Sequence, residues 1–98
     1  MYEDSPSYTK SVKPNITKTY FVFKTMIENQ TLNGDGCNGI MFVNQGVAVN
    51  INGLNVAVGQ TLALNGNALD QDFSSYQLIF SAVVGRNLIV IQKFNTFE

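Results

Sequence analysis

Apolar and polar positions alternate along most of this chain with a period of two, and glycine or asparagine interrupts the alternation at short intervals. A strand places residues i, i+2 and i+4 on one face, whereas a helix repeats its apolar positions every three or four residues. Thr19 to Ile27 sets Phe21, Phe23, Thr25 and Ile27 against Tyr20, Val22, Lys24 and Met26, so a strand is predicted from about Lys18. A turn-rich loop follows from Leu32 to Gly39, and Ile40-Met41-Phe42-Val43 is an apolar run of the buried-strand type.

Gly46 to Asn52 alternates cleanly, with Val47, Val49 and Ile51 predicted to face a core and Ala48, Asn50 and Asn52 to face outward. Asn52-Gly53 supplies the two left-handed residues of a type I′ hairpin turn. Leu54 to Val58 and Thr61 to Leu64 read as short strands broken at Gly59-Gln60. A polar loop from Asn67 to Ser75 leads into strands at Tyr76 to Val83 and Asn87 to Phe94, joined by a turn at Gly85-Arg86. The last of these is apolar on both faces from Leu88 to Ile91, which predicts a central position or burial by assembly.

Four Asn-Gly pairs fall between Asn33 and Gly66, a density that suits hairpins. About seven strands spaced by turn signals predict an all-β, antiparallel β-sandwich, immunoglobulin-like or jelly-roll-like. The first fifteen residues are polar, hold both prolines and show no periodic apolar face. Residues 1–17 are therefore expected to form an extended N-terminal arm, and residues 18–98 a single sandwich domain. Such an arm is either a floppy tail or a segment that orders on a partner, with Tyr8, Lys10, Lys13 and Pro14 as its candidate partner-binding residues.

Composition narrows the function. The chain has 98 residues, no histidine and one cysteine, so an intrachain disulfide is excluded and Cys37 has no neighbouring base to activate it. No Ser-x-x-Lys or Gly-x-Ser-x-Gly pattern surrounds the serines. The candidate carboxylates Glu28, Asp35, Asp70 and Asp72 stand mostly in Gly- and Asn-rich loops, where acids serve as turn-formers. The expectation is a protein that is not an enzyme and carries no cofactor and no catalytic residue. Asn67, Asp70 and Asp72 form an oxygen-rich loop of the kind that can hold Ca²⁺, but without EF-hand spacing, so backbone capping is the expected role and no metal site is predicted.

Charge is sparse. Not one charged residue lies between Asp35 and Asp70, and the net charge is −1. The lysines at 10, 13, 18 and 24 do not form the basic stripe that nucleic acid requires, so no nucleic-acid partner is expected. No apolar run approaches the roughly 20 residues that span a bilayer, and the acidic N-terminus lacks the apolar segment of a secretory signal. The sequons at Asn15 and Asn29 are accordingly read as chance. A neutral, Asn-rich surface instead fits a chain packed against copies of itself or other proteins. Carbohydrate binding is the rival reading, through Tyr2, Tyr8, Phe73, Tyr76 and loop asparagines, although core packing is the preferred role for Phe73 and Tyr76.

One segment carries a likeness. Val47-x-Val49-Asn50-Ile51-Asn52-Gly53-Leu54-x-Val56-x-x-Gly59-x-Thr61-Leu62-x-Leu64-x-Gly66-Asn67 is followed by Asp70-x-Asp72-x-x-x-Tyr76-x-Leu78-x-Phe80 and Asn87-Leu88-x-Val90-Ile91-x-Lys93. Over residues 46–94 this resembles small virion proteins of tailed phages, particularly the crAss-like group of gut bacteria. The resemblance implies an auxiliary capsid or head-fibre protein made in the host cytoplasm and located in the virion, on the phage head. Its implied partners are the major capsid protein, other virion proteins and copies of itself, a trimer being one such form. It transfers no site residues, because what matches is scaffold.

Overall fold

The computed structural model describes residues 16–64 and 66–97. They form eight strands and two sheets: β1 (Ile16–Met26), β2 (Gln30–Asn33), β3 (Gly39–Asn44), β4 (Val49–Ile51), β5 (Leu54–Val56), β6 (Thr61–Leu64), β7 (Ser75–Phe80) and β8 (Leu88–Phe97). One sheet has the order β1-β8-β3-β6 and the other β2-β7-β4-β5, and every pairing is antiparallel. That interleaving is the double Greek key of a jelly roll. The expected sandwich is present, and the connectivity selects the jelly-roll alternative over the immunoglobulin-like one.

The strand expected at Thr19–Ile27 begins earlier, at Ile16, inside the expected arm. The rest of that arm, including Tyr8, Lys10, Lys13 and Pro14, lies outside the described residues. β2 is the strand that alternation did not indicate. Its Gln-Thr-Leu-Asn sequence has one apolar side chain, Leu32, which is enough for an edge strand with one face on the core. Asn52 and Gly53 have φ of 50° and 91°, and Ile51 pairs with Leu54, so the two-residue hairpin joins β4 and β5 as predicted.

The core lies between the sheets. Met26, Ile40, Phe42, Leu88 and Val90 from one sheet meet Leu32, Val49, Ile51, Val56, Tyr76, Leu78 and Phe80 from the other. Burying a side chain of this size is worth about 1.5–3 kcal/mol. Phe42 and Tyr76 meet across the sheets edge-to-face, with ring centroids 5.3 Å apart. β8 lies between β1 and β3, which explains its two apolar faces: Leu88 and Val90 enter the core while Ile89 and Ile91 line the opposite side of the sheet.

Polar side chains are buried too, Asn44 and Gln92 completely and Asn38 and Asn95 nearly so, and each ties a loop or strand to the sandwich. Asn44 donates through Nδ2 to the Val47 and Val56 carbonyls at 3.0 and 2.9 Å and accepts from the Gly46 N–H at 3.1 Å. Gln92 donates to the Asn33 and Gly34 carbonyls, both at 3.1 Å. Asn38 Oδ1 accepts from the Asn95 N–H at 2.8 Å, and Asn95 in turn donates to the Ala68 carbonyl at 3.1 Å. Gly46 sits where an added Cβ would overlap the Gly85 carbonyl, so the crossing of these two loops requires glycine there.

Candidate functional site

Two surface features stand out from this frame. The first is a cleft of about 470 Å³ lined by Cys37, Asn38, Gly39, Ala63, Leu64, Gly66, Asp70, Gln71 and Asp72. It forms where the Gly-Asp-Gly-Cys-Asn-Gly loop meets the 66–72 loop, and an isolated bridge between Cys37 and Asp72 holds the two together. Asp35 and Gly36 take φ of 56° and 80° to make the tight bend that brings Cys37 inward.

The acids of the cleft are engaged with their own loops. Asp70 accepts from the Asn67 N–H at 3.1 Å, and Asn67 Oδ1 accepts from the Leu69 N–H at 3.0 Å. Asp72 accepts from the Ser74 N–H at 2.7 Å and from the Tyr76 hydroxyl. This is the capping role expected for Asn67, Asp70 and Asp72. Among the described residues no group of three or more His, Cys, Asp or Glu side chains gathers as a metal site.

The titration behaviour follows from these contacts. Burial alone would raise the Asp72 carboxyl, but hydrogen bonds from Tyr76 and Ser74 outweigh it and hold the group below its ordinary value. Burial, the hydrogen bond to Asp72 and that carboxylate's charge push the Tyr76 phenol well above its own. Burial also raises the Cys37 thiol, which is fully enclosed. The pair Asp72–Tyr76 therefore stays ionised and protonated, respectively, around neutral pH, and the thiol stays protonated. Neither arrangement is poised to move a proton or attack a carbonyl at that pH.

Tyr76 packs in the core as expected, whereas Phe73 does not. Phe73 is 70% exposed, and its ring lies over Gly36, about 3.0 Å from where a Cβ would stand. The alternation that placed Tyr76, Leu78 and Phe80 inward ends at Ser75, where β7 begins, so it had no hold on Phe73.

The second feature is the outer face of the β1-β8-β3-β6 sheet. In an antiparallel pair, directly opposed residues share a face. The register sets Phe21 and Phe23 of β1 beside Lys93 and Ile91 of β8, and Met41 and Val43 of β3 beside Ile91 and Ile89. No second layer covers them among the described residues: Phe21 is 54% and Phe23 66% exposed. The sequence offered the signal, aromatic residues on both sides of the first strand, but not which side met the core.

Comparison with protein-family models, curated sequences and solved structures finds no match to this chain.

Among the described residues Lys93 is the one cation on that outer face, and Lys24 turns to the other side, where its ammonium lies 3.6 Å from the Asp35 carboxylate. The described part of the face is thus apolar and nearly uncharged. Surfaces of this kind are characteristic of contact with other proteins rather than of free exposure to water.

Proposed function

We propose that this chain is a non-enzymatic structural protein of a phage virion that decorates the capsid as an auxiliary capsid or head-fibre protein. The observation that carries the reading is the uncovered apolar face of Phe21, Phe23, Met41, Ile89 and Ile91, which is suited to a protein that works in an assembly. The absence of charge from residue 36 to residue 69 supports it, as does the likeness to crAss-like virion proteins over residues 46–94. By analogy alone, the jelly roll recurs in viral capsid proteins. In this reading the polar N-terminal arm, with Tyr8, Lys10, Lys13 and Pro14, docks on the major capsid protein while the sandwich projects or bridges.

Co-sedimentation of the purified chain with assembled heads of a crAss-like phage tests the proposal. Stoichiometric pelleting with heads is expected, and deletion of residues 1–15 is expected to leave a folded domain that stays in the supernatant. A full-length chain that never pellets with heads overturns the virion reading; an arm-deleted chain that still pellets overturns the docking role.

One observation favours a second reading, a carbohydrate-binding module. Phe73 presents an exposed ring next to the cleft that contains Asn38, Gln71 and Asp72, an aromatic platform beside hydrogen-bonding groups. Glycan-array binding that Phe73→Ala removes would move the function there. A head protein that touches host glycans would show both properties.

A further inference from the structure

The edge of the apolar sheet has a sequence symmetry that the fold turns into a geometric one. β1 is an edge strand, paired among the described residues only with β8. Its regular register runs from Lys18 to Met26, with an irregularity between Ile16 and Lys18, and the midpoint of that span is Val22. Around Val22 two pairs of side chains mirror one another, Phe21 with Phe23 and Thr19 with Thr25, while Tyr20 stands in mirror position to Lys24 and Lys18 to Met26. In antiparallel self-pairing about a two-fold axis residue i meets its mirror position in the partner, so this partial palindrome sets Phe against Phe and Thr against Thr.

The free hydrogen-bonding groups have the matching parity. Gln45 donates to the Asn87 carbonyl, while Asn44 donates to the Gln60 carbonyl beside β6. Odd-numbered residues of β3 and β8 therefore bond each other, and even-numbered residues of β8 bond even-numbered residues of β1. That leaves the N–H and C=O groups of Thr19, Phe21, Phe23 and Thr25 directed to the open edge. No proline lies between Lys18 and Met26, the register irregularity is confined to the end of the strand before Lys18, and the two strand lysines are on the core-side face, where Lys24 is held by Asp35.

We infer that β1 pairs antiparallel with β1 of a second copy about a two-fold axis at Val22, joining two four-stranded sheets into one of eight strands. In this register Phe21 and Phe23 form hydrogen-bonded pairs with Phe23 and Phe21 of the second copy, and Thr19 pairs with Thr25. Lys24 faces Tyr20 on the other side. A two-fold axis at Phe21 would instead set Lys18 against Lys24, a like-charge pair. An axis at Phe23 would leave Lys18 and Thr19 of each copy opposite residues beyond the end of β1. Only the axis at Val22 uses the whole regular span. The two outer faces then become one continuous apolar surface with four phenylalanines along the seam. The interface stands whether or not the assembly is a phage head, and it makes the dimer, rather than a trimer, the elementary unit.

The test uses the full chain without capsids. Light scattering over a concentration series is expected to show a dimer, and Phe23→Lys, at an exposed position, is expected to give a monomer with an unchanged circular dichroism spectrum. Val22→Cys gives the register. Non-hydrogen-bonded residues facing each other across antiparallel strands lie about 4.5 Å apart at Cα, within disulfide range. With oxidised glutathione accepting the two electrons, the two introduced thiols are expected to form a covalent dimer on a non-reducing gel. Lys24→Cys, which faces Tyr20, and the parent chain with its buried Cys37 are expected to stay uncrosslinked. A parent chain that remains monomeric, or one that dimerises only after residues 1–15 are removed, overturns the inference. So does a dimer that Val22→Cys fails to crosslink, whatever the chain does on capsids.

Discussion

Asn44 of β3 and Val56 of β5 are joined by a hydrogen bond of 2.9 Å that crosses from one sheet to the other inside an apolar core. The same amide holds the Val47 carbonyl and the Gly46 N–H, so one buried side chain fixes the entrance to the β4–β5 hairpin and its seat on β3. A hydrogen bond of this kind contributes modestly, but a buried group left without its partner costs about 1–3 kcal/mol.

Asn44→Ala is therefore expected to destabilise the fold by roughly 3 kcal/mol or more, since two carbonyls and one N–H lose their side-chain partner. Asn44→Asp keeps the shape but replaces the donating Nδ2 by an acceptor facing two carbonyls, and is expected to cost at least as much. Urea titration followed by circular dichroism measures both. A loss below about 0.5 kcal/mol for either would show that water satisfies these groups.

Phenylalanines of the two sheet faces are expected to behave in opposite ways. Phe42 is fully buried, and Phe42→Ala should cost about 3–5 kcal/mol. Phe21, half exposed on the outer face, should tolerate Phe21→Ser with a change in monomer stability of about 0.5 kcal/mol or less. The same unfolding assay at low protein concentration checks the contrast.

Stability should fall on both sides of neutrality for identifiable reasons. Asp72 is held below its ordinary value in the folded state, so its contribution is present above that value, 3.8, and is lost as pH drops through the folded one. Tyr76 and Cys37 are raised above their ordinary 10.0 and 9.0, so their contribution is complete below those values and declines as pH climbs past them. Tyr76→Phe removes the phenol that holds Asp72 down. The acid limb of the thermal-stability profile should then move to higher pH and the tyrosine part of the alkaline limb should disappear. An unchanged acid limb would assign it to other carboxylates.

Two glycines should respond differently to alanine. Gly53 has open space around it but a φ of 91°, so Gly53→Ala is expected to cost about 1 kcal/mol through backbone strain. Gly46→Ala drives a methyl group into the Gly85 carbonyl and the Asn87 N–H, backbone atoms that cannot rotate away. Its cost should sit at or above the upper end of the ~1–3 kcal/mol typical of overpacking. Thermal melts of the two variants side by side give the order.

The candidate surfaces were only partly legible in the sequence. Alternation marked Phe21 and Phe23 as one face of a strand, but which face meets the core depends on where β8 and β3 lie, and those are some fifteen to seventy residues away along the chain. Phe73 was expected to pack inward with Tyr76. It lies before the start of β7, where the period of two has no meaning, and it ends on Gly36 of a distant loop. The cleft acids were read correctly as loop caps because their partners are within four residues along the chain.

By itself the sequence determined the local terms. These are the all-β class from the period of two, the Asn52-Gly53 hairpin from its left-handed pair, and core positions at Val49, Ile51, Tyr76, Leu78 and Phe80. Each rests on neighbours a few residues apart, where chain stereochemistry dictates the outcome. Tertiary structure alone decided the order of strands, the choice of jelly roll, the strand at Gln30–Asn33, and the exposure of the outer face. Those depend on contacts between residues far apart in sequence, and one apolar face of a strand looks like another until a second sheet covers it. Val22 marks the boundary between the two. The Phe and Thr pairs that flank it are written in the chain, but only the pairing of β1 with β8 leaves the odd-numbered edge unpaired among the described residues.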